Sequence, residues 1–184
     1  LEISAVMAAG NNQPGKFQAK VVDVRSISHD VYRVELQLPR RRELSFHAGQ
    51  YLSVNLPDAD PCYFSIASSP SDQNIELHIQ ATPDWVSAQK VIDALTSGGE
   101  VTVELPHGKA CLASVPTRPL LLVAAGTGFA QMKSLVDYLR ETSYDQPVKL
   151  YWGVRRHEDM YLRALAQQWQ DEWPRFTFLP VVGD

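Results

Sequence analysis

Two stretches of the chain combine residue types that can do chemistry. Residues 60 to 70, DPCYFSIASSP, set the aromatic pair Tyr63 and Phe64 among Ser65, Ser68 and Ser69, with a thiol at Cys62 and a proline toward each end. Hydroxyls beside aromatic rings on one short strand raise the question of what that strand holds. The second stretch, AAGTGFAQ, ends an apolar run in Gly126-Thr127-Gly128 and passes straight into a helical pattern. Glycines there let the backbone approach a pyrophosphate, whose negative charge the helix N-terminus favours. A full dinucleotide fingerprint would place Gly or Ala at position 131, where this chain has Gln131. It would also place an acidic residue after the next strand, which instead ends in Arg155 and Arg156. Taken alone, the turn fits either a nucleotide site or a plain tight connection, and without Gly-Lys-Ser or Gly-Lys-Thr it is no P-loop. Other chemistries lack their parts: there is no G-x-S-x-G elbow, no Ser-His-Asp order and no pair of carboxylates set for acid-base work.

The elements that must position these residues follow two grammars. From Phe17 to Leu105 the pattern has period two, as in VYRVELQL, where Val34, Leu36 and Leu38 face inward and Arg33, Glu35 and Gln37 face water. FQAKVVDV, GQYLSVNL, CYFSIAS, NIELHIQ and EVTVELP complete six short strands, which suggests a closed antiparallel barrel or a sandwich. DWVSAQKVIDALTSGG breaks the rule, with Trp85, Ala88, Val91, Ile92 and Leu95 near helical spacing and a stop at Gly98 and Gly99. A lone helix of this kind is expected to plug one end of the barrel. Beyond Pro116 to Pro119 the grammar changes. Leu120 to Ala125 run without alternation, as in a parallel strand buried on both faces. Met132, Leu135, Val136 and Leu139 then fall at helical spacing, VKLYWGV is a second strand, residues 158–170 a second helix and RFTFLPVV a third strand. That is βαβαβ, the unit of a doubly wound nucleotide-binding sheet.

Composition bounds the remaining choices. A length of 184 residues, 45% of them hydrophobic, allows one large or two small domains with a real core. A net charge of −4 without a run of five or more like charges argues against nucleic acid or an anionic membrane as partner, and Arg40, Arg41 and Arg42 read as a solvated turn. No apolar stretch reaches the ~18 residues of a membrane span and no signal-peptide layout opens the chain, so a cytoplasmic protein is expected. Cys62 and Cys111 cannot form a disulfide framework, and neither they nor the singly placed histidines have metal-ligand spacing, so no metal is expected. Residues 1–16 read as a linker or disordered lead, 17–115 as the barrel domain and 118–184 as the α/β domain.

A hydroxyl-rich barrel followed by a parallel nucleotide-binding half resembles the ferredoxin-NADP reductase superfamily, and within it the bacterial NAD(P)H:flavin reductases. FHAGQYLSV, FSIASSP, IELHI, VELPHGKA, LLLVAAGTGF and LYWGVRRHEDMYL carry this resemblance, in the family's order, over nearly all of residues 17–182. The resemblance implies a flavin whose ring lies along Tyr63, Phe64, Ser65 and Ile66, with His78 and Ile79 of the neighbouring strand offering backbone to its pyrimidine edge. Phe64 and Ser65 fill the last two places of the family motif Arg, any residue, Tyr or Phe, then Ser or Thr. Ser65 would hydrogen-bond near flavin N5, the hydride acceptor, and is the expected catalytic residue. Cys62 stands where the family has arginine, the natural bidentate partner of phosphate, so the flavin, FMN or FAD, is expected to be weakly held or exchanged as a substrate unless Lys90 or one of Arg40, Arg41 and Arg42 takes that role. Cys62 itself reads either as a redox thiol or, in preference, as a small buried filler.

For the nicotinamide nucleotide, the resemblance places pyrophosphate at Gly126, Thr127 and Gly128, with Phe129 opening the helix. Trp152 and Gly153 would line the adenosine side, and Arg155 or Arg156 would meet a 2′-phosphate, which favours NADPH, or both nucleotides, over strict NADH use. The implied activity is hydride transfer from NAD(P)H to flavin. The alternatives are an electron-transfer module serving a ferredoxin, iron-sulfur or oxygenase partner, or a truncated binding domain with impaired catalysis. The family's nucleotide domain continues past its third strand, so a C-terminal part is expected beyond residue 184, which leaves LLLVAA with a bare, aggregation-prone edge.

Overall fold

A computed structural model describes residues 13–39 and 45–183, so Arg40, Arg41, Arg42 and residues 1–12 of the expected lead lie outside the described residues. Alternating apolar and polar residues form β1 (Gly15–Ser26), β2 (Val31–Gln37), β3 (Tyr51–Asn55), β4 (Cys62–Ser65), β5 (Ile75–Gln80) and β6 (Glu100–His107). Gly15 and Lys16, assigned to the lead from sequence, already pair with Leu105 and Glu104. The strands make one antiparallel sheet in the order β4-β3-β6-β1-β2-β5. Val34, Leu36, Leu52, Val54, Leu77, Val103 and their inward neighbours share one core, each such side chain contributing about 1.5–3 kcal/mol by its burial.

The sheet curls until its end strands meet at an Ile66–Leu77 bridge and an Ala67 N–H to Glu76 O hydrogen bond of 2.7 Å. Within the strands proper, β4 pairs only with β3 and β5 only with β2, so the barrel is nearly closed and splays along one seam. A helix, α1 (Val86–Thr96), packs Val91, Ile92 and Leu95 into the barrel core. Trp85, grouped with these residues in the sequence pattern, instead stands at the N-cap position without a side-chain capping bond and is 55% exposed.

The second half holds β7 (Leu120–Ala125), α2 (Phe129–Glu141), β8 (Val148–Val154), α3 (Arg163–Glu172) and β9 (Phe176–Val182), with a 3-10 turn at Gly126–Gly128. Its strands are parallel in the order β7-β8-β9. The sheet advances in one direction, so right-handed crossovers place both helices on the same face. That face, with Leu122, Leu150, Trp152 and Phe178, shares a core with α2 and α3. The expectation that β7 is buried on both faces is therefore corrected: Leu121 and Val123 point to the opposite face and are 59% and 66% exposed. The reversal of winding direction that defines a doubly wound sheet does not occur within these three strands.

Candidate active site

The seam between β4 and β5 opens into a cavity of about 630 Å³. Cys62, Tyr63 and Phe64 line it from β4, His78 and Gln80 from β5, and Trp85 to Ala88 from the start of α1. Asp84, just before α1, and Thr127, the centre of the glycine turn, complete the wall. A smaller cavity of about 260 Å³ adjoins the same strand and is lined by Tyr51, Tyr63, Phe64 and Ser65. Among the described residues, the Ser65 hydroxyl has no hydrogen-bond partner. Tyr63 stands out from the barrel, 61% exposed, edge-on to Tyr51 at a ring separation of 5.9 Å. Tyr51 in turn stacks on His107 at 5.4 Å.

The glycine turn is built to leave backbone open. Gly126 takes a φ of +51°, a left-handed value that favours glycine. A Cβ added at Gly126 or Gly128 would meet no atom within 4 Å. Among the described residues no side chain caps the N-terminus of α2, and the Phe129 N–H already bonds back to Gly126 O, so the N–H groups open to an anion are those of the turn itself. From behind, the carbonyl of Gly126 accepts a 2.9 Å hydrogen bond from Trp152 Nε1. Phe129 stacks on Trp152 at 3.9 Å, and both rings are fully buried.

The residues expected from sequence thus divide into surface and support. Tyr63, Phe64, Ser65 and Thr127 reach open space. Ile66 and Ile79 are fully buried, so only their backbone could meet a ligand. Phe129 opens α2 as expected, and the side chains of Phe129 and Trp152 fill the core beneath the turn, so there too only backbone could meet a ligand. Gly153 carries no steric demand, since an added Cβ would meet Ala124 O at 3.7 Å, an ordinary contact. Arg155 is exposed and has no ion pair or hydrogen bond among the described residues, whereas Arg156 Nη1 lies 3.8 Å from Glu158. Cys62 is half-buried, packs against the barrel core and also lines the cavity. Burial, with Asp60 nearby, pushes its thiol up, so it stays protonated and neutral. Cys62 also borders a second cavity of about 560 Å³ with Ser87, Lys90, Asp58 and Asp60.

Sequence reasoning missed the joint that sets the two halves against each other. Gln131, noted as a departure from the fingerprint, donates from Nε2 to the carbonyls of Gly49 and Ala110, each at 2.9 Å. Ser134 donates to Ser68 O at 2.7 Å, and Ser71 and Ser69 donate to Glu141. Ser68 and Ser69, read with Ser65 as one hydroxyl group, are buried and belong to this joint. Their only signal was a position just past the end of β4, where the chain must leave the barrel.

The chain matches the family described as Oxidoreductase FAD-binding domain over residues 18–111 and that described as Oxidoreductase NAD-binding domain over residues 122–184. It is 34% identical to the NAD(P)H-flavin reductase of Aliivibrio fischeri over 169 residues, covering 89% of this chain and 71% of that protein. Terephthalate 1,2-dioxygenase reductase component 1 of Comamonas sp is also 34% identical, over 92% of this chain and 50% of its own length, so the chain spans about half of that relative. The crystal structure of Amycolatopsis cytochrome P450 reductase GcoB shares the fold at a TM-score of 0.83 and 28% identity, covering 98% of this chain and 56% of that one.

Proposed function

The chain belongs to the ferredoxin reductase-like oxidoreductases, and from that premise we propose that it passes hydride from NAD(P)H to N5 of a flavin that is weakly held or exchanged as a substrate. The observation that carries this reading is the seam cavity, where Tyr63 and Phe64 of β4 share one space with Thr127 of the glycine turn. Hydride transfer between stacked rings depends on positioning and little on acid-base groups, which suits a site without paired carboxylates.

The lining fits the ring of a flavin better than its phosphates. Aromatic walls and the free Ser65 hydroxyl face the opening, while the arginine position holds the neutral Cys62 thiol. Lys90 borders the adjoining cavity, but Asp58 and Asp60 stand with it and offset its charge. A bound flavin would supply the hydride acceptor. Phe64 would back its ring, Ser65 would donate to N5, and the backbone of His78 and Ile79 would meet the pyrimidine edge. On the other wall the N–H groups after Gly126 would hold the pyrophosphate of the nucleotide. The unpaired Arg155 makes it the better candidate of the two arginines for a 2′-phosphate, in keeping with use of NADPH or of both nucleotides.

A second reading, a flavin module that passes electrons to an iron-sulfur or oxygenase partner, is favoured by the likeness to dioxygenase reductase components. Flavin absorbance of the purified chain after gel filtration, followed by NADPH consumption with added riboflavin, FMN or FAD, separates the two. Turnover without retained colour supports the flavin reductase; retained colour with slow turnover of free flavin supports the electron-transfer module; neither colour nor turnover overturns both.

A further inference from the structure

A buried polar chain joins the two halves beside the seam cavity. Glu76, on the outer side of β5, accepts hydrogen bonds from Arg33 at 2.7 Å and from His78 Nε2 at 2.8 Å. Lys133 Nζ of α2 lies 3.7 Å from the same carboxylate. Burial opposes the charge on Glu76, but the bonds from His78 and Arg33 and the charge of Lys133 outweigh it and hold the carboxyl well below its usual range. Burial also lowers His78, so its ring is neutral at pH 7. A neutral ring that donates from Nε2 to Glu76 has Nδ1 left as an acceptor. The hydroxyl of Tyr161, 3.0 Å from Nδ1, is therefore the donor.

Tyr161 belongs to the nucleotide half and leads directly to the glycine turn. Its ring stands edge-on to Trp152 at 5.4 Å and to Phe129 at 6.0 Å. Trp152 holds the Gly126 carbonyl from behind. An unbroken series thus runs from β5 through His78, Tyr161 and Trp152 to Gly126, while His78 and Thr127 line the same cavity. The rest of the joint, at Gln131, Ser134 and Glu141, secures α2 to the barrel but does not touch the turn.

We propose that His78 and Tyr161 are positioning residues for hydride transfer: their hydrogen bond sets the glycine turn at the distance from β4 and β5 at which nicotinamide and flavin rings stack. This rests on the flavin-reductase reading above. An apolar pair could hold the halves together, but a directional bond between a fixed tautomer and a rigid phenol specifies one spacing and one orientation. Transfer between rings is sensitive to displacements of about 1 Å, so the effect belongs to turnover rather than to affinity.

Tyr161→Phe keeps the ring packing and removes the hydroxyl. With NADPH and riboflavin or FMN, kcat is expected to fall about tenfold or more, while KM for NADPH and Kd for flavin stay within about threefold. The long-wavelength charge-transfer absorbance of the stacked pair should weaken in parallel. His78→Leu should lose at least as much, and the double variant no more than His78→Leu alone, because the two act as a unit. A Tyr161→Phe enzyme with kcat and charge-transfer band like wild type overturns the proposal, as does a double variant whose losses multiply. Loss of Tm and of both affinities with kcat at saturation retained assigns the pair a merely structural role and equally overturns it. If wild type oxidises no NAD(P)H with any flavin, the functional reading itself fails. In that event faster amide exchange at residues 126–129 in Tyr161→Phe upholds the placement of the turn by this pair, and unchanged exchange overturns it.

Discussion

Ser65 presents a hydroxyl without a partner among the described residues at the edge of the cavity beside β4, so its contribution falls on whatever ligand arrives there. A single neutral hydrogen bond is worth about 1 kcal/mol. Ser65→Ala is accordingly expected to slow hydride transfer measurably while flavin affinity stays within about tenfold, checked by stopped-flow reduction and by titration; an unchanged rate would remove Ser65 from the mechanism. Cys62 makes the complementary case. Cys62→Arg should tighten FMN and FAD by about tenfold or more through a charge-assisted bond to phosphate, with riboflavin affinity unchanged. Equal effects on riboflavin and FMN would mean that the flavin phosphate does not lie near Cys62. The serines of one short run illustrate how far residue types alone carry. Ser65 was legible as a hydroxyl open to a cavity, whereas Ser68 and Ser69 were not legible as joint residues. Which hydroxyl finds a partner depends on where α2 lies, and residue spacing within the run does not encode that.

Gln131, Ser134 and Glu141 make one stripe of α2 a polar attachment to the barrel. Gln131→Ala removes two bonds to carbonyls of Gly49 and Ala110. The expected cost is about 1–3 kcal/mol of stability, read as a lower denaturant midpoint; a midpoint equal to wild type would show that water replaces the side chain freely. Periodicity made the strands and helices readable, because alternation and helical spacing are direct consequences of backbone geometry. It misled at β7, where LLLVAA is apolar throughout although its exposure alternates. Residue type there does not reveal which sheet face carries helices; that follows from crossover handedness and from the direction in which strands are added. Gln131 was read as a defect in a nucleotide fingerprint because the carbonyls it serves come from residues 49 and 110, remote in sequence.

Across the whole molecule, the joint makes stability depend on pH. Both Glu76 and His78 titrate below their ordinary values when folded, so the unfolded chain binds more protons than the folded one as pH falls. For His78 the loss begins near its ordinary value of 6.5, and for Glu76 near 4.5; above these values both contributions are complete. Stability should therefore decline from neutral pH toward pH 5 with a slope of at most about 1.4 kcal/mol per pH unit from the histidine, and His78→Gln should flatten that segment of the Tm profile. A wild-type Tm that is level from pH 7 to 5 would contradict the neutral, buried state of His78. The placement of the tryptophans has an optical consequence. Trp152 and Trp169 are fully buried while Trp85 is exposed on the wall of the seam cavity. Trp85 should emit at the red side of the spectrum, and a yellow chromophore docking beside it would drain that emission by energy transfer. The chain thus carries its own fluorescent reporter of occupancy, one that needs neither turnover nor an added label.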